Sequence, residues 1–192
     1  MGAMTDQLGL AEGRPFTVAD LETMPDDGRR YEIIDGTLLV TPAPTWSHQE
    51  MGLALAILLR AQCPPDLRVL VAPFAVRTST VDEVQPDVLV ARFADLTDRC
   101  LPVGPVLAAE VLSRSTRLHD RNTKLAHYAK LGVGSYWLLD PVEPGGLEVY
   151  ELGSDGAYVR AGSARGDESV ELGLPFPVSV SPARLLDGRR PA

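Results

Sequence analysis

Cysteine is scarce in this chain of 192 residues: Cys63 and Cys100 stand apart, with no C-x-x-C pair and no Cys/His cluster. That spacing argues against a zinc site and a disulfide framework, and both thiols are expected to be reduced. Long apolar runs are missing as well. None approaches the roughly 20 residues that a membrane-spanning helix needs. Residues 1–13 lack the charged and apolar blocks of a secretory leader, so a cytoplasmic location without membrane contact is expected. Positive charge is in deficit, with 26 Asp and Glu against 18 Lys and Arg and a formal net charge of −8. This argues against a protein that coats nucleic acid through a broad basic surface, but leaves room for a local basic site. No G-x-G-x-x-G and no Walker sequence occurs, so a nucleotide-binding fold has no support. Lysine is almost absent: Lys124 and Lys130 stand against sixteen arginines. A residue used so sparingly is a poor candidate for surface filler.

What is present reads as one globular domain over residues 16–192, preceded by a loose segment over 1–15. A short helix is expected over 16–24, capped by Thr17 with Asp20 three residues on. Runs at 31–34 and 37–41 flank Asp35-Gly36, a strong hairpin signal. Ser47 and Glu50 have the spacing of a capping box. The helix they open carries Met51, Leu55, Leu58 and Leu59 on one stripe and should stop before Pro64-Pro65. Strands follow at 69–77 (bent at Pro73), at 87–91 and at 106–112, the last so continuously apolar that both faces should be covered. A helix over 118–131 ends at Gly132. A strand at 135–140, a hairpin over 147–152 and 157–161, and a last strand at 169–172 complete the pattern. The helix between the strands at 106–112 and 135–140 makes a crossover, so those two should be parallel. The fold class is mixed α/β, a sheet flanked by helices with β-hairpins added at both ends.

Glu110 is the sharpest chemical signal, because it interrupts Val106-Leu107-Ala108-Ala109 and Val111-Leu112. A carboxylate in a buried strand costs several kcal/mol unless it is paired or metal-bound. The plain alternative is a structural pair with an arginine. Asp87, after Pro86, opens an apolar strand and alone would mark only a strand start; on a strand beside Glu110 it could share one hard cation, magnesium or manganese. Arg117, Arg121, Lys124 and Tyr128 are spaced four, three and four apart and should share a helix face. In isolation that face reads as solvated and cationic. Beside two carboxylates it reads as a lysine aimed into a site, with arginines for neighbouring phosphates. Leu118, Leu125 and Ala129 form the adjacent stripe expected to pack on the sheet. Glu32 is either a surface strand residue or a further site acid. His48 is a candidate base or phosphate contact, while His119 and His127 are expected at the surface. Ser113, Ser115 and Thr116 have no partner His and Asp, so a serine hydrolase is not supported. Two carboxylates and an ammonium are the parts that metal-assisted phosphodiester hydrolysis needs.

The same residues resemble the Uma-type putative restriction endonucleases, a family within the PD-(D/E)XK nuclease superfamily. The matching pieces are Tyr31-Glu32-Ile33-Ile34-Asp35-Gly36, Pro42-Ala43-Pro44 with Ser47-His48-Gln49, Gln85-Pro86-Asp87-Val88 and Glu110-Val111-Leu112-Ser113. Further on come Ser115-Thr116-Arg117, Asp120-Arg121, Lys124 with Tyr128, and Gly132-Val133 with Tyr136-Trp137-Leu138. The likeness spans residues 16–150. It implies a restriction-endonuclease-like αβββαβ core, in agreement with the element order above, and divalent metal held by Asp87 and Glu110. The superfamily's lysine two residues after the second acid is replaced here by Leu112, so Lys124 would have to reach in from the helix. Glu32 looks like an additional acid of the family's site. The expected protein is a DNA endonuclease using Mg (or Mn), with a carbonyl near Val111 on the metal and Arg117, Arg121 and His48 on the nucleic acid. A homodimer is plausible for a duplex cut. Two alternatives stay open: a non-catalytic DNA- or protein-binding module on the same fold, and a hydrolase of another phosphate ester.

Overall fold

The computed structural model describes residues 13–186. In chain order the elements begin with α1 (Val18–Leu21), β1 (Arg30–Ile34), β2 (Thr37–Thr41) and α2 (Trp46–Gln62). Strands β3 (Leu67–Val71), β4 (Ala75–Ser79), β5 (Asp82–Val84), β6 (Val88–Arg92), β7 (Cys100–Leu101) and β8 (Leu107–Val111) follow. A π-helical turn (His119–Lys124) runs into α3 (Leu125–Lys130). The chain continues with β9 (Ser135–Asp140), β10 (Gly146–Leu152), β11 (Tyr158–Arg165), β12 (Val170–Leu172), β13 (Val178–Val180) and α4 (Pro182–Leu186). Residues 1–12 of the expected loose segment lie outside the described residues. Among the described residues no helix is long and apolar enough to cross a membrane.

The continuously apolar runs become the centre of a six-stranded sheet of order β11-β10-β9-β8-β6-β3. Strand β8 is buried at all five positions. As the crossover argument requires, β8 and β9 are parallel, while β6 and β8 are antiparallel. Side chains alternate between two cores, the period of two that a strand imposes. Val88, Val90, Leu107, Ala109, Val111, Trp137 and Leu139 face Met51, Leu55 and Leu59 of α2. Leu89, Ala91, Ala108, Leu112, Tyr136 and Leu138 face the opposite cluster with Tyr128, Ile34 and Val84. Glu110 has the parity of Ala108 and Leu112, so its carboxylate enters this second core.

A five-stranded sheet of order β2-β1-β5-β4-β7 covers that second core. The amino-terminal hairpin is therefore part of a sheet, joined to it where Ile33 pairs with Glu83. Asp35 and Gly36 both have positive φ (48° and 74°), the turn that Asp-Gly favours between twisted strands. Pro73 does more than bend a strand: it separates β3 from β4, which lie in different sheets. The first helix is shorter than 16–24, but its start is as read, with the Thr17 amide donating to Asp20 Oδ2 at 2.7 Å. For α2 the cap lies two residues earlier than Ser47: Thr45 accepts the His48 amide at 3.3 Å, and the helix begins at Trp46. Leu118 is 76 % exposed instead of packing on the sheet. The π-helical turn after it has more residues per turn than an α-helix, so the 3.6 period does not carry across it. Strands β5 and β13 and helix α4 had no clear sequence signal, each being three to five residues long.

Helix α3 ends where Gly132 was expected to end it. Val133 N–H donates to Tyr128 O and Gly132 N–H to Ala129 O, both at 3.0 Å, with Gly132 at φ 72°. This is a Schellman closure. An alanine at Gly132 meets nothing within 4 Å, so only the left-handed backbone resists it. At Gly36 the added Cβ would also lie 2.6 Å from Pro15 Cβ. Urea denaturation should therefore give a loss of about 1–2 kcal/mol for Gly132→Ala and a larger loss for Gly36→Ala. Equal losses would contradict the Pro15 contact.

Candidate active site

The register of β6 and β8 pairs Val88 with Ala109, which sets Asp87 opposite Glu110 on adjacent strands. Both carboxylates are buried, and so are Glu32 on β1 and Asp120 on the π-helical turn. Lys124 reaches this group from the helical side. Its Nζ lies 2.9 Å from Glu110 Oε1 and 3.1 Å from Glu32 Oε1. Tyr128, one helical step beyond Lys124, donates its hydroxyl to Glu110 Oε1 at 2.9 Å. The Gln85 amide fixes Glu32 at 2.7 Å. Asp87 Oδ1 accepts from Arg30 at 2.9 Å, and Oδ2 accepts the Val111 amide at 2.9 Å and lies 3.1 Å from His48 Nε2. Asp87, Glu110, Glu32, Lys124, Val111 and His48 are thus brought together, and all line one cleft of about 470 Å³.

The two arginines expected beside them part company. Arg117 lines the cleft and donates to Asp140 Oδ2 at 3.0 Å. Arg121 makes two 2.8 Å hydrogen bonds to Glu148 and borders a different cavity of about 270 Å³. The π-helical turn, invisible to a 3.6-residue period, separates Arg121 from the face that Lys124 and Tyr128 share. Sequence reasoning missed two members of the site. Arg30 carried no signal. Asp120 did carry one, as the lone acid in a basic stretch. Its Oδ1 is buried with no hydrogen-bond partner among the described residues. His127 is corrected from surface to interior: it is 3 % exposed, and burial lowers its proton affinity. His119 is exposed, as expected.

Charge balance decides the protonation states. Burial alone would lower the Lys124 pKa, but Glu110, Glu32, Asp120 and Asp87 outweigh it and raise it, so the ammonium persists. Burial would raise Asp87, yet the hydrogen bond and charge of His48, with Arg30 and Lys124, hold it at about 2. Glu110 goes the other way: burial and its acidic neighbours push it well above the ordinary value despite Lys124. Burial likewise raises Asp120, against the pull of Lys124. Four buried carboxylates face two permanent cations, Arg30 and Lys124. The donors are all oxygen, and Asp120 offers an orphaned one, so the residues fit a hard cation such as magnesium or manganese.

The chain belongs to the Uma2 family, described as a putative restriction endonuclease, whose model matches residues 18–186. Its fold is similar to the crystal structure of a putative nuclease belonging to DUF820 from Anabaena variabilis ATCC 29413. That likeness has a TM-score of 0.63 at 17 % identity and covers 84 % of this chain and 90 % of that one. At this identity it bears on the fold alone. No curated protein matches the chain.

The burial contrast between Lys124 and Arg121 gives a stability prediction. Lys124→Met strands Glu110 and Glu32 without their ammonium and should cost about 3–5 kcal/mol without added metal. Arg121→Ala removes a half-exposed pair and should cost about 1 kcal/mol or less. Denaturant titration of both variants checks the ranking, and a Lys124 variant as stable as wild type would refute the charge balance.

Proposed function

We propose that this chain is a divalent-metal-dependent endonuclease that hydrolyses DNA phosphodiester bonds. The observation that carries this reading is the buried ammonium of Lys124 among four carboxylates at the floor of a cleft. Asp87 and Glu110, with the Val111 carbonyl, would hold magnesium or manganese. When bound, such a cation supplies Lewis acidity to a phosphate oxygen and acidifies a water. Lys124, kept charged by its neighbours, is unsuited to be a base; it orients the attacking water and stabilises charge growing on the phosphate. Glu32, fixed by the Gln85 amide, aims that ammonium. Tyr128 keeps Glu110 oriented. At the mouth, exposed Arg114 and half-exposed Arg117 can meet flanking phosphates once Arg117 leaves Asp140. His48 can do the same from the first turn of α2. Arg121, closed on Glu148, is a weaker candidate for that role. A duplex cut is served by a homodimer, and β2 and β11 offer the sheet edges for it.

One observation favours a second reading, a non-catalytic binding module. Both Asp87 oxygens already have partners, in Arg30, His48 and the Val111 amide. Cleavage assays separate the two. Supercoiled, linear and single-stranded DNA, with RNA alongside, are incubated with magnesium or manganese and the wild-type chain or Asp87→Asn, Glu110→Gln or Lys124→Met. Circular dichroism confirms that each variant is folded. Wild type should cut DNA, and each variant should be about a hundredfold or more slower. Lys124→Met cutting at the wild-type rate removes the lysine from the mechanism. No cutting by any form, together with no magnesium binding, selects the module.

A further inference from the structure

His127 is a buried imidazole with neither ring nitrogen hydrogen-bonded among the described residues. An unsatisfied buried polar group is costly, so one that persists calls for an explanation. Its Nδ1 lies 3.8 Å from Asp82 Oδ1. Asp35, in the β1–β2 turn, completes a group whose ligand atoms all lie within 4.8 Å of one another. None of the three lines the cleft that holds Asp87 and Glu110.

We infer that Asp35, Asp82 and His127 form a divalent-cation site of the zinc type, separate from the cleft, that clips the β1–β2 turn and β5 to helix α3. The donor set is one imidazole and two carboxylates, which suits zinc, cobalt or manganese better than magnesium. Asp82 is already oriented as a ligand: Ser79 Oγ donates to Oδ2 at 2.7 Å and the Asp35 amide to Oδ1 at 2.8 Å. Such supporting hydrogen bonds are what hold metal ligands in position. Asp35 now pairs with the Lys130 ammonium, but the side chains are 61 % and 59 % exposed. Lys130 can swing into water and give up the carboxylate. Three protein ligands leave room for water to complete the coordination.

The clip has a mechanical consequence. Glu32 lies three residues before Asp35 on the same hairpin, and Lys124 three residues before His127 on the same helical segment. A cation joining Asp35 to His127 would fix the two elements whose side chains meet at the 3.1 Å Lys124–Glu32 contact. Its role is therefore structural support of the cleft. The inference does not rest on the nuclease reading.

Zinc binding to the full chain tests it, by calorimetry and equilibrium dialysis, with cobalt absorption reporting the ligand field. The Asp87→Asn/Glu110→Gln double variant, which lacks the two carboxylates proposed to hold the cleft metal, should still bind one equivalent of zinc. At a hundredfold excess over Kd its Tm should rise by roughly 5–10 °C. Asp35→Asn and His127→Gln should each weaken binding at least about tenfold. Asp35→Asn keeps the test valid if the buried substitution misfolds, since asparagine tolerates the positive φ at that turn. The inference is overturned if the double variant binds no zinc, or if Asp35→Asn binds it as tightly as wild type.

Discussion

The buried ammonium of Lys124 is the interaction on which the rest of this structure turns. A lysine 4 % exposed is tolerable only because Glu110 and Glu32 are within 3.1 Å. Neither carboxylate could be buried without it. The dependence runs outward from there. Glu32 needs β1, Glu110 needs β8, and Lys124 needs the helical segment, so three separate stretches of chain must meet at one point. Burial of charge here does little for net stability. It makes the relative placement of the elements specific, because a small displacement leaves a charge uncompensated.

The sheet topology supplies that placement. Antiparallel pairing of β6 with β8 sets Asp87 across from Glu110, and parity sends the Glu110 side chain away from α2. The parallel step from β8 to β9 requires a crossover, and the crossover is the segment that carries Asp120 and Lys124. Tyr136, on β9, ties its hydroxyl to the Asp120 carbonyl at 2.9 Å and so anchors the π-helical turn from below. The amino-terminal hairpin closes the other side with Glu32 and Arg30. The polar members are held by several elements of the core, β1, the start of β6, β8 and the π-helical turn, which is how an acidic cleft can be kept rigid in a small domain.

Much of this was legible in the chain, for reasons of contrast. Glu110 stood out because every neighbour was apolar, Lys124 because lysine is almost unused, and the Asp35-Gly36 turn because few dipeptides accept two positive φ angles. Illegible features were those without contrast. Arg30 is one arginine among sixteen, and β5 is too short to show a period. The shared face drawn through Arg117, Arg121 and Lys124 assumed 3.6 residues per turn, and the π-helical turn breaks that assumption at the place where the site is built. His127 was misread for the same reason: nothing in its neighbours distinguishes a solvated histidine from one turned inward.

The helix-borne lysine also has a physical logic. Position 112, two residues past Glu110, points into the same core as Glu110, but it is filled by Leu112, which is 2 % exposed. A lysine there would have to share space with Tyr136 and Leu138, and the cluster would lose apolar area. Bringing the ammonium in from the helical segment keeps that strand position apolar and approaches Glu110 from the opposite side. The cost is that the charge is no longer fixed by the rigid sheet; it follows any movement of the helix. Tyr128 counters this by binding the same Glu110 oxygen from the next turn, and the Schellman closure at Gly132 secures the far end. A site assembled this way is as firm as the contact between helix and hairpin, so groups that join those two elements bear on its geometry without lining the cleft.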